Sequence, residues 1–323
     1  MIMPILTGTP VQRLELPDAG GNRFWIKRDD LLPFSFGGNK VRIAKAFLED
    51  CTAKGCDAMI MYGDRRSNLC RVLGAMCAAS GMECVMIATS EHEEEGPEPF
   101  NEQMIRALGI RILPCGKDAI ADTVDRAVEL LVSEGKKPYY IYGNRYGQGN
   151  EAAAARAYAD ASRELLSWQD EAGVKADYVF TACGTGSTLA GLACGMTEGG
   201  SQAQIVGISI SSRSSARAEE CVRGAVAAWY GHGGRPVPAG LWEHLHVECG
   251  YNCGGYGARD ARVDGLIRSV FETSSVPLDP TYTGKAVRGM LDYLEENKIR
   301  EKDVLFLHTG GTPLFFDSLL QRR

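Results

Sequence analysis

The 323-residue sequence contains no long apolar run, because none of its hydrophobic stretches approaches the roughly 20 residues that a membrane-spanning helix needs. It also has no excess of basic residues, since 35 lysines and arginines face 41 aspartates and glutamates and the net charge is −6. Sequence-independent nucleic-acid binding needs positive charge against the phosphates, so neither a nucleic acid nor a membrane is expected as a partner. Residues 1–17 show no basic segment followed by an apolar one, and no signal peptide is expected.

Histidine is scarce, with 5 residues, and the 11 cysteines form no paired framework. An odd number of cysteines, scattered through apolar segments, is typical of buried thiols in a reducing cytoplasm. Cys249 and Cys253 are a close pair near glycines, but no second cysteine or histidine pair lies nearby to complete a zinc site. We therefore expect a cytoplasmic protein without a bound metal ion.

Short apolar runs of strand length alternate with segments of helical periodicity through almost the whole chain. This alternation predicts an α/β fold with parallel sheets flanked by helices. It also gives more strands than one compact domain usually needs, which predicts two lobes with a cleft between them. The acidic run at 91–95 is expected to be a solvated loop.

The segment FGGNKVR at 36–42 places a lysine at the start of a predicted helix, directly after two glycines. The glycines admit backbone angles that other residues avoid, and Asn39 is expected to be the N-cap. Lys40 then lies in the first helical turn, where the helix dipole disfavours a positive charge. A lysine kept neutral to attack a carbonyl suits this position, and a solvated lysine in a helix-entry loop is the alternative.

Two further segments combine glycine, hydroxyl groups and the start of a helix. The first, CGTGST at 183–188, follows a predicted strand, and its backbone N–H groups and hydroxyls are expected to bind a phosphate. It lacks the Gly-Lys-Ser/Thr of a Walker motif. The alternative to phosphate binding is that this segment is an ordinary connection between a strand and a helix. The second, GDRRSN at 63–68, is expected to hold a substrate carboxylate, unless it is an ordinary helix cap with solvated arginines.

An imine-forming lysine, a phosphate cradle and a carboxylate cradle together suggest pyridoxal 5'-phosphate as the cofactor. At these segments the chain resembles the tryptophan-synthase β-type fold (fold type II) of pyridoxal-phosphate enzymes. Within that fold it is similar to the family of D-cysteine desulfhydrase and 1-aminocyclopropane-1-carboxylate deaminase. The resemblance implies a large cofactor-binding domain of residues 1–51 and 161–323, a small domain of residues 52–160, and a homodimer.

The same resemblance implies roles for individual residues. Lys40 corresponds to the lysine that binds the cofactor covalently, and the other implied cofactor-binding residues are Asn39, Cys183, Gly184, Thr185, Gly186, Ser187, Thr188, Thr283 and Thr309. The implied substrate-binding residues are Ser67, Asn68, Leu69 and Arg66. Tyr256 and Tyr282 are implied as catalytic proton donors, and either Lys40 or Ser67 as the group that removes the α-proton.

Thr283 bears on the reaction, because the cyclopropane deaminase pattern has a glutamate at this position. A neutral hydroxyl does not keep the pyridine nitrogen protonated, and Thr283 matches the desulfhydrase pattern. This favours β-elimination from a small amino acid, D-cysteine giving pyruvate, sulfide and ammonia. The alternatives are a 1-aminocyclopropane-1-carboxylate deaminase, a β-replacement transferase and a non-catalytic binder, and Thr283 could also merely pack at a helix start.

The chain departs from the family pattern in the carboxylate segment. Asp64 replaces a glycine, Arg66 a glutamine and Leu69 a polar residue. Arg65 and Arg66, with Arg145 near the next glycine-rich turn, could bind a second anionic group, such as the sulfonate of cysteate. They could equally pair with Asp64 and with surface acids.

Overall fold

The computed structural model describes residues 8–17, 20–89 and 98–320, which form ten strands and ten α-helices. The strands are β1 (Val11–Arg13), β2 (Arg23–Lys27), β3 (Ala58–Asp64), β4 (Glu83–Thr89), β5 (Arg111–Cys115), β6 (Pro138–Tyr140), β7 (Tyr178–Cys183), β8 (Gln204–Ser209), β9 (Leu245–Glu248) and β10 (Asp303–Leu307). The helices are α1 (Asn39–Ala53), α2 (Asn68–Ala79), α3 (Phe100–Ala107), α4 (Ile120–Ser133), α5 (Glu151–Ala172), α6 (Ser187–Glu198), α7 (Ser215–His232), α8 (Ala261–Ser274), α9 (Thr283–Glu296) and α10 (Thr312–Leu320). Three 3-10 turns cover Asp29–Leu31, Lys117–Ala119 and Ala239–Glu243.

The strands form two sheets. A six-stranded sheet has the order β1-β2-β10-β7-β8-β9, and a four-stranded sheet has the order β5-β4-β3-β6. All neighbouring strands run parallel except β1, which pairs antiparallel with β2. The predicted α/β class with parallel sheets and flanking helices is therefore confirmed.

The central strands are buried on both faces, as parallel strands between helix layers require. Every residue of β10 is buried, and so are the first four residues of β3. None of the helices in the described part of the chain is both long enough and apolar enough to cross a membrane.

Helices α5 and α6 pack closely because small residues face each other at their contact. A Cβ at Gly191 would lie 2.1 Å from the carbonyl oxygen of Ala155, and one at Gly195 would lie 1.9 Å from the hydroxyl of Ser162. Only glycine allows this approach of the two backbones. The packing holds the start of α6 in place, where the predicted phosphate segment lies.

A buried ion network fixes α1 against β2 and α5. The guanidinium of Arg42 donates to both carboxylate oxygens of Asp29, at 2.9 and 3.0 Å, and to Glu164 at 2.6 and 2.9 Å. Lys27 donates to Glu164 at 2.6 Å, and the hydroxyl of Tyr158 donates to Asp29 at 2.5 Å. Because every charge has an opposite partner, the network positions the helix that carries Lys40.

One predicted detail of α1 is wrong. Gly38, with φ of 96°, occupies the N-cap position, and Asn39 is the first helical residue. The Asn39 side chain makes no capping bond but donates to the hydroxyl of Thr188 at 2.8 Å. The backbone N–H of Asn39 is satisfied from outside the helix, by the carbonyl of Thr309 at 3.1 Å, so no side-chain cap is needed there.

The predicted domain boundaries remain a prediction. The four-stranded sheet lies within 58–140, inside the predicted small domain, and the six-stranded sheet lies outside it. Helix α5 (Glu151–Ala172) runs across the predicted boundary at 160. The predicted acidic loop at 91–95 lies outside the described residues.

Candidate active site

A cavity of about 430 Å³ lies where strands of both sheets end and several helices begin. Parallel sheets collect ligands at the carboxyl ends of their strands, and helix N-termini add unpaired N–H groups and a positive dipole end. Its lining includes Lys40, Asp64, Ser67, Asn68, Leu69, Gly184, Thr185, Ser187, Tyr256 and Tyr282. A narrower extension continues between Asn39, Lys40, Cys183, Gly186, Thr188, Tyr282, Thr309 and Gly310. Most of the predicted site residues are thus brought together here.

Lys40 lies where the cavity and its narrow extension join. The loop before it is held by backbone contacts, since Gly38 donates to the carbonyl of Asp29 at 2.8 Å. The backbones of Gly38 and Gly310 touch, and a Cβ on Gly310 would lie 2.5 Å from the Cα of Gly38. Both glycines have positive φ, 96° and 92°, so two loops from distant parts of the chain meet directly below Lys40.

Burial lowers the pKa of the Lys40 amine from its usual value of 10.5 to about 8. The cause is desolvation of the ammonium, which the nearby Cys183 thiol offsets only in part. A lysine with this pKa is about half neutral at pH 8 and largely neutral about one pH unit higher, and the neutral amine is the state that attacks a carbonyl.

The 183–188 segment joins β7 to α6, as predicted. Gly186 precedes the helix with φ of 91°, and a Cβ there would lie 2.8 Å from the Val222 side chain. Thr185 and Ser187 present hydroxyls 3.4 Å apart, and both line the cavity. The hydroxyl of Thr188 lines the extension and accepts the amide of Asn39, which leaves its own O–H free to donate. The loop therefore offers three hydroxyls and a helix N-terminus, a donor set suited to a phosphate.

Ser67 and Asn68 open α2 at the other side of Lys40. Ser67 is the N-cap and accepts the backbone N–H of Cys70 at 3.2 Å, while Asn68 is the first helical residue. The Asn68 carbonyl oxygen accepts two hydrogen bonds, from Arg71 at 3.2 Å and from Asn101 at 3.0 Å. The NH2 group of Asn68 is consequently the end that is left to donate into the cavity. A donor at this position is what the predicted binding of a substrate carboxylate requires.

Sequence reasoning missed Arg71 and Asn101. Arg71 is fully buried, and its Nε and Nη1 have no hydrogen-bond partner among the described residues. Burial lowers its pKa from 12.5 to about 10. The spacing of Arg71, one helical turn after Ser67, was a usable signal, whereas the approach of α3, which carries Asn101, is a tertiary contact that no local pattern indicates.

The two predicted tyrosines meet at the wall of the cavity that Lys40 also lines. Their hydroxyl oxygens are 2.8 Å apart, with the rings in an edge-on arrangement. The loop that carries Tyr256 is tied to α9 by the buried ammonium of Lys285, which donates to the Gly255 carbonyl. Burial is the first cause that raises the pKa of Tyr256 and of Tyr282, so both are protonated at neutral pH.

Thr283 is not among the residues that line the cavity or its extension. It is fully buried at the start of α9, and its hydroxyl donates to Asp279 at 2.8 Å and accepts the Asp279 backbone N–H at 2.8 Å. Burial raises the pKa of Asp279, which also accepts the N–H groups of Thr281 and Tyr282. Thr283 thus stabilises the start of α9 through Asp279. Thr309, the other predicted threonine near the C-terminus, does line the extension.

The arginines considered as an anion site do not line the cavity. Arg65 pairs with Glu102, and Arg145 pairs with Asp122 at 2.7 Å and also with Asp125. The carbonyl of Arg66 accepts the amide of Asn101 at 2.7 Å. The cations at the cavity besides Lys40 are Lys117 and Arg213, which sequence reasoning did not single out.

The chain belongs to the family of pyridoxal-phosphate dependent enzymes, whose model matches residues 2–310. It is therefore an enzyme of fold type II, and the predicted cofactor, pyridoxal 5'-phosphate, is confirmed at the level of the family.

Particular relatives narrow the comparison. The chain is 28% identical to a protein named D-cysteine desulfhydrase from Yersinia enterocolitica, over 95% of this chain and 92% of that one. It is 32% identical to a protein named putative 1-aminocyclopropane-1-carboxylate deaminase from Pyrococcus abyssi, over 95% and 90% of the two chains. A crystal structure described as an ACC deaminase homologue superimposes with a TM-score of 0.82 at 27% identity, covering 99% of this chain and 95% of the other. The family named from the sequence is confirmed.

The residues present suit this cofactor. An amine of lowered pKa, the hydroxyls at the start of α6, and an amide whose oxygen is already occupied line one continuous space. The amine suits the aldehyde of the cofactor, the hydroxyls suit its phosphate, and the amide suits the carboxylate of an amino-acid substrate.

Proposed function

We propose that this protein is a β-elimination lyase that converts D-cysteine to pyruvate, sulfide and ammonia. The observation that supports the proposal is that Lys40 lines one continuous cavity together with the loop at 183–188 and with Ser67 and Asn68. A tyrosine pair faces the same space. The names of several full-length relatives support D-cysteine as the substrate.

Each group has a task in this proposal. Pyridoxal 5'-phosphate, when bound, supplies an electron sink for the pair left by the α-proton. Lys40 holds the cofactor covalently, and Thr185 and Ser187 hold its phosphate. Asn68 donates its NH2 group, and Ser67 its hydroxyl, to the substrate carboxylate.

Two proton transfers bring about the elimination of sulfide, and water then hydrolyses the released 2-aminoacrylate to pyruvate and ammonia. Either Lys40 or Ser67 removes the α-proton, since both line the cavity on the side of Asn68. The Tyr256–Tyr282 pair supplies a proton to the leaving sulfur, because both phenols are kept protonated at neutral pH.

A product assay on the purified holoenzyme tests this function. We expect D-cysteine to give pyruvate and sulfide in equal amounts, and added thiols or amines to leave the pyruvate yield unchanged. Loss of pyruvate in favour of a new amino acid when a thiol is added would instead identify a β-replacement transferase. Absence of both products with either enantiomer of cysteine would contradict the lyase assignment.

A deaminase of 1-aminocyclopropane-1-carboxylate is the second candidate, because a relative named for it is 32% identical over nearly the whole chain. Its product would be 2-oxobutanoate, which the same assay distinguishes from pyruvate. Thr283 weighs against this candidate, since a hydroxyl bonded to Asp279 in both directions brings no charge to a pyridine nitrogen.

We further propose that the enzyme works in the cytoplasm as a homodimer, with domains of residues 1–51 plus 161–323 and of residues 52–160. All eleven cysteines are free thiols, which suits a reducing compartment. Two separate sheets support the division into two domains. Light scattering gives the mass in solution, and 70 kDa, about twice the chain mass of 35.0 kDa, is expected.

A further inference from the structure

The cavity around Lys40 contains a carboxylate that the proposed reaction does not use. Asp64 is the last residue of β3, and its side chain lines the cavity together with Tyr256 and Tyr282. Its Oδ1 accepts the backbone N–H of Arg66 at 2.7 Å, which fixes the carboxylate at the carboxyl end of the strand. A rigid strand end thus holds a negative charge at the wall of the site.

Asp64 acts on the tyrosine pair. The pKa of Tyr256 is raised mainly by burial, then by the neighbouring Tyr282, and then by the negative charge of Asp64. A hydrogen bond between Asp64 and Tyr256 adds to this rise. The negative charge of Asp64 also raises the pKa of Tyr282, after burial. The carboxylate and the two phenols therefore form one connected cluster at the wall.

The positively charged side chains of the cavity other than Lys40 lie away from Asp64. Lys117 and Arg213 are exposed, and they line both this cavity and a wider outer groove of about 900 Å³. Asp64, Tyr256 and Tyr282 line the inner cavity and are not part of the groove lining. The cations are thus at the mouth and the carboxylate is inside, next to the phenols.

We propose that Asp64 determines the charge of the substrate side chain that this site accepts. The inference rests on the proposed function, in which the carboxylate of the substrate binds at Asn68 and its β-substituent leaves beside the tyrosines. An anionic β-substituent, such as a sulfonate, meets the charge of Asp64 in a partly desolvated cavity, where repulsion is stronger than in water. The site therefore takes amino acids with neutral or positively charged β-substituents and rejects those with anionic ones.

Charge-neutralising and charge-preserving variants of the holoenzyme test this inference. Asp64→Asn removes the charge at nearly constant shape, Asp64→Glu keeps it, and Glu129→Gln removes an exposed acid of α4 that does not line the cavity. The quantity measured is the ratio of kcat/KM for cysteate to that for cysteine of the same enantiomer. We expect Asp64→Asn to raise this ratio about tenfold or more, and the other two variants to leave it within about twofold of the parent.

A ratio that is unchanged or lowered in Asp64→Asn overturns the inference, because a merely structural defect would weaken both substrates together. Binding of both amino acids, followed through the visible absorbance of the cofactor, gives a readout that does not depend on elimination. Charge-dependent binding without pyruvate formation would overturn the proposed lyase and keep the role of Asp64. Pyruvate formation without charge-dependent binding would support the proposed lyase and overturn the role of Asp64.

Discussion

At the scale of single residues, the orientation of Asn68 follows from its neighbours. Two donors, from Arg71 and Asn101, converge on its carbonyl oxygen, so its NH2 group is left to face the cavity. An amide is otherwise ambiguous, since either end could face a ligand. Arg71 does not itself line the cavity, but its contact with Asn68 gives it an indirect role in binding the substrate.

Arg71→Met separates this role from stability. Two nitrogens of the buried guanidinium have no partner among the described residues, so an apolar side chain of similar size is expected to leave the melting temperature unchanged or higher. The same change removes one of the two donors that hold the oxygen of Asn68 away from the cavity, and Asn101 is left as the other. We expect KM to rise about tenfold, corresponding to about 1.4 kcal/mol, with a smaller change in kcat.

Steady-state kinetics and a thermal melt of Arg71→Met measure both effects. Arg163→Met, which changes an exposed arginine of α5, serves as the control and is expected to alter neither. A KM within twofold of the parent would show that Arg71 does not influence Asn68, and a melting temperature several degrees lower would show that Arg71 stabilises the fold.

Lys40 gives a prediction with a defined pH range. Its pKa is lowered to about 8, so the amine is protonated below that pH and neutral above it, and only the neutral form attacks an aldehyde. The rate at which apoenzyme binds pyridoxal 5'-phosphate is expected to rise about tenfold per pH unit below pH 8 and to level off above it. An ordinary lysine would let the rate keep rising to about pH 10.4. Stopped-flow absorbance between pH 6.5 and 10 distinguishes the two curves.

At the scale of helices, strands and loops, the contact between Gly38 and Gly310 sets the position of Lys40. An alanine at Gly310 would place its Cβ 2.5 Å from the Cα of Gly38, at a φ of 92° that disfavours any side chain. Gly81 has a positive φ of 65° as well, but a Cβ there meets nothing within 4 Å. The two positions share the backbone strain and differ in the clash.

Gly310→Ala and Gly81→Ala therefore form a matched pair. Each is expected to lose about 1–2 kcal/mol of stability from the strained backbone. Gly310→Ala is also expected to displace the start of α1 and weaken cofactor binding tenfold or more, measured by absorbance titration of the apoenzyme. Equal cofactor affinity in the two variants would show that the loop contact does not position Lys40.

Regular elements with a strong pattern were predictable from the sequence. The short apolar runs that predict strands are found in β3, β7 and β10, and the helical periodicity that predicts helices is found in α1 and α9. Strand β1 has three residues, too few for an alternating pattern, and it exists because it pairs with β2. The capping of α1 was wrong because the N–H of Asn39 is satisfied by Thr309, 270 positions along the chain.

At the scale of the whole molecule, the site is assembled from loops that follow strands of both sheets. The walls of the cavity and its extension come mainly from 39–40, 62–64, 67–69, 182–189, 210–213, Tyr256, Tyr282 and 309–310. The motifs in these loops predicted the cofactor because each motif carries its chemistry locally. Which side chains face the substrate depends on how the loops meet. The position of Asp64 in the cavity lining, the ion pairs of the arginines and the burial of Thr283 away from the cavity could therefore not be predicted from the sequence.

The most direct measurement is the visible spectrum and D-cysteine turnover of the parent enzyme and of Lys40→Ala, both supplied with pyridoxal 5'-phosphate. We expect the parent to show an absorbance band from covalently bound cofactor and to release pyruvate and sulfide. We expect Lys40→Ala to lose that band and to fall at least about a thousandfold in turnover. Pyruvate release by Lys40→Ala at the parent rate, or a parent protein that binds the cofactor and leaves D-cysteine intact, would contradict the proposed function.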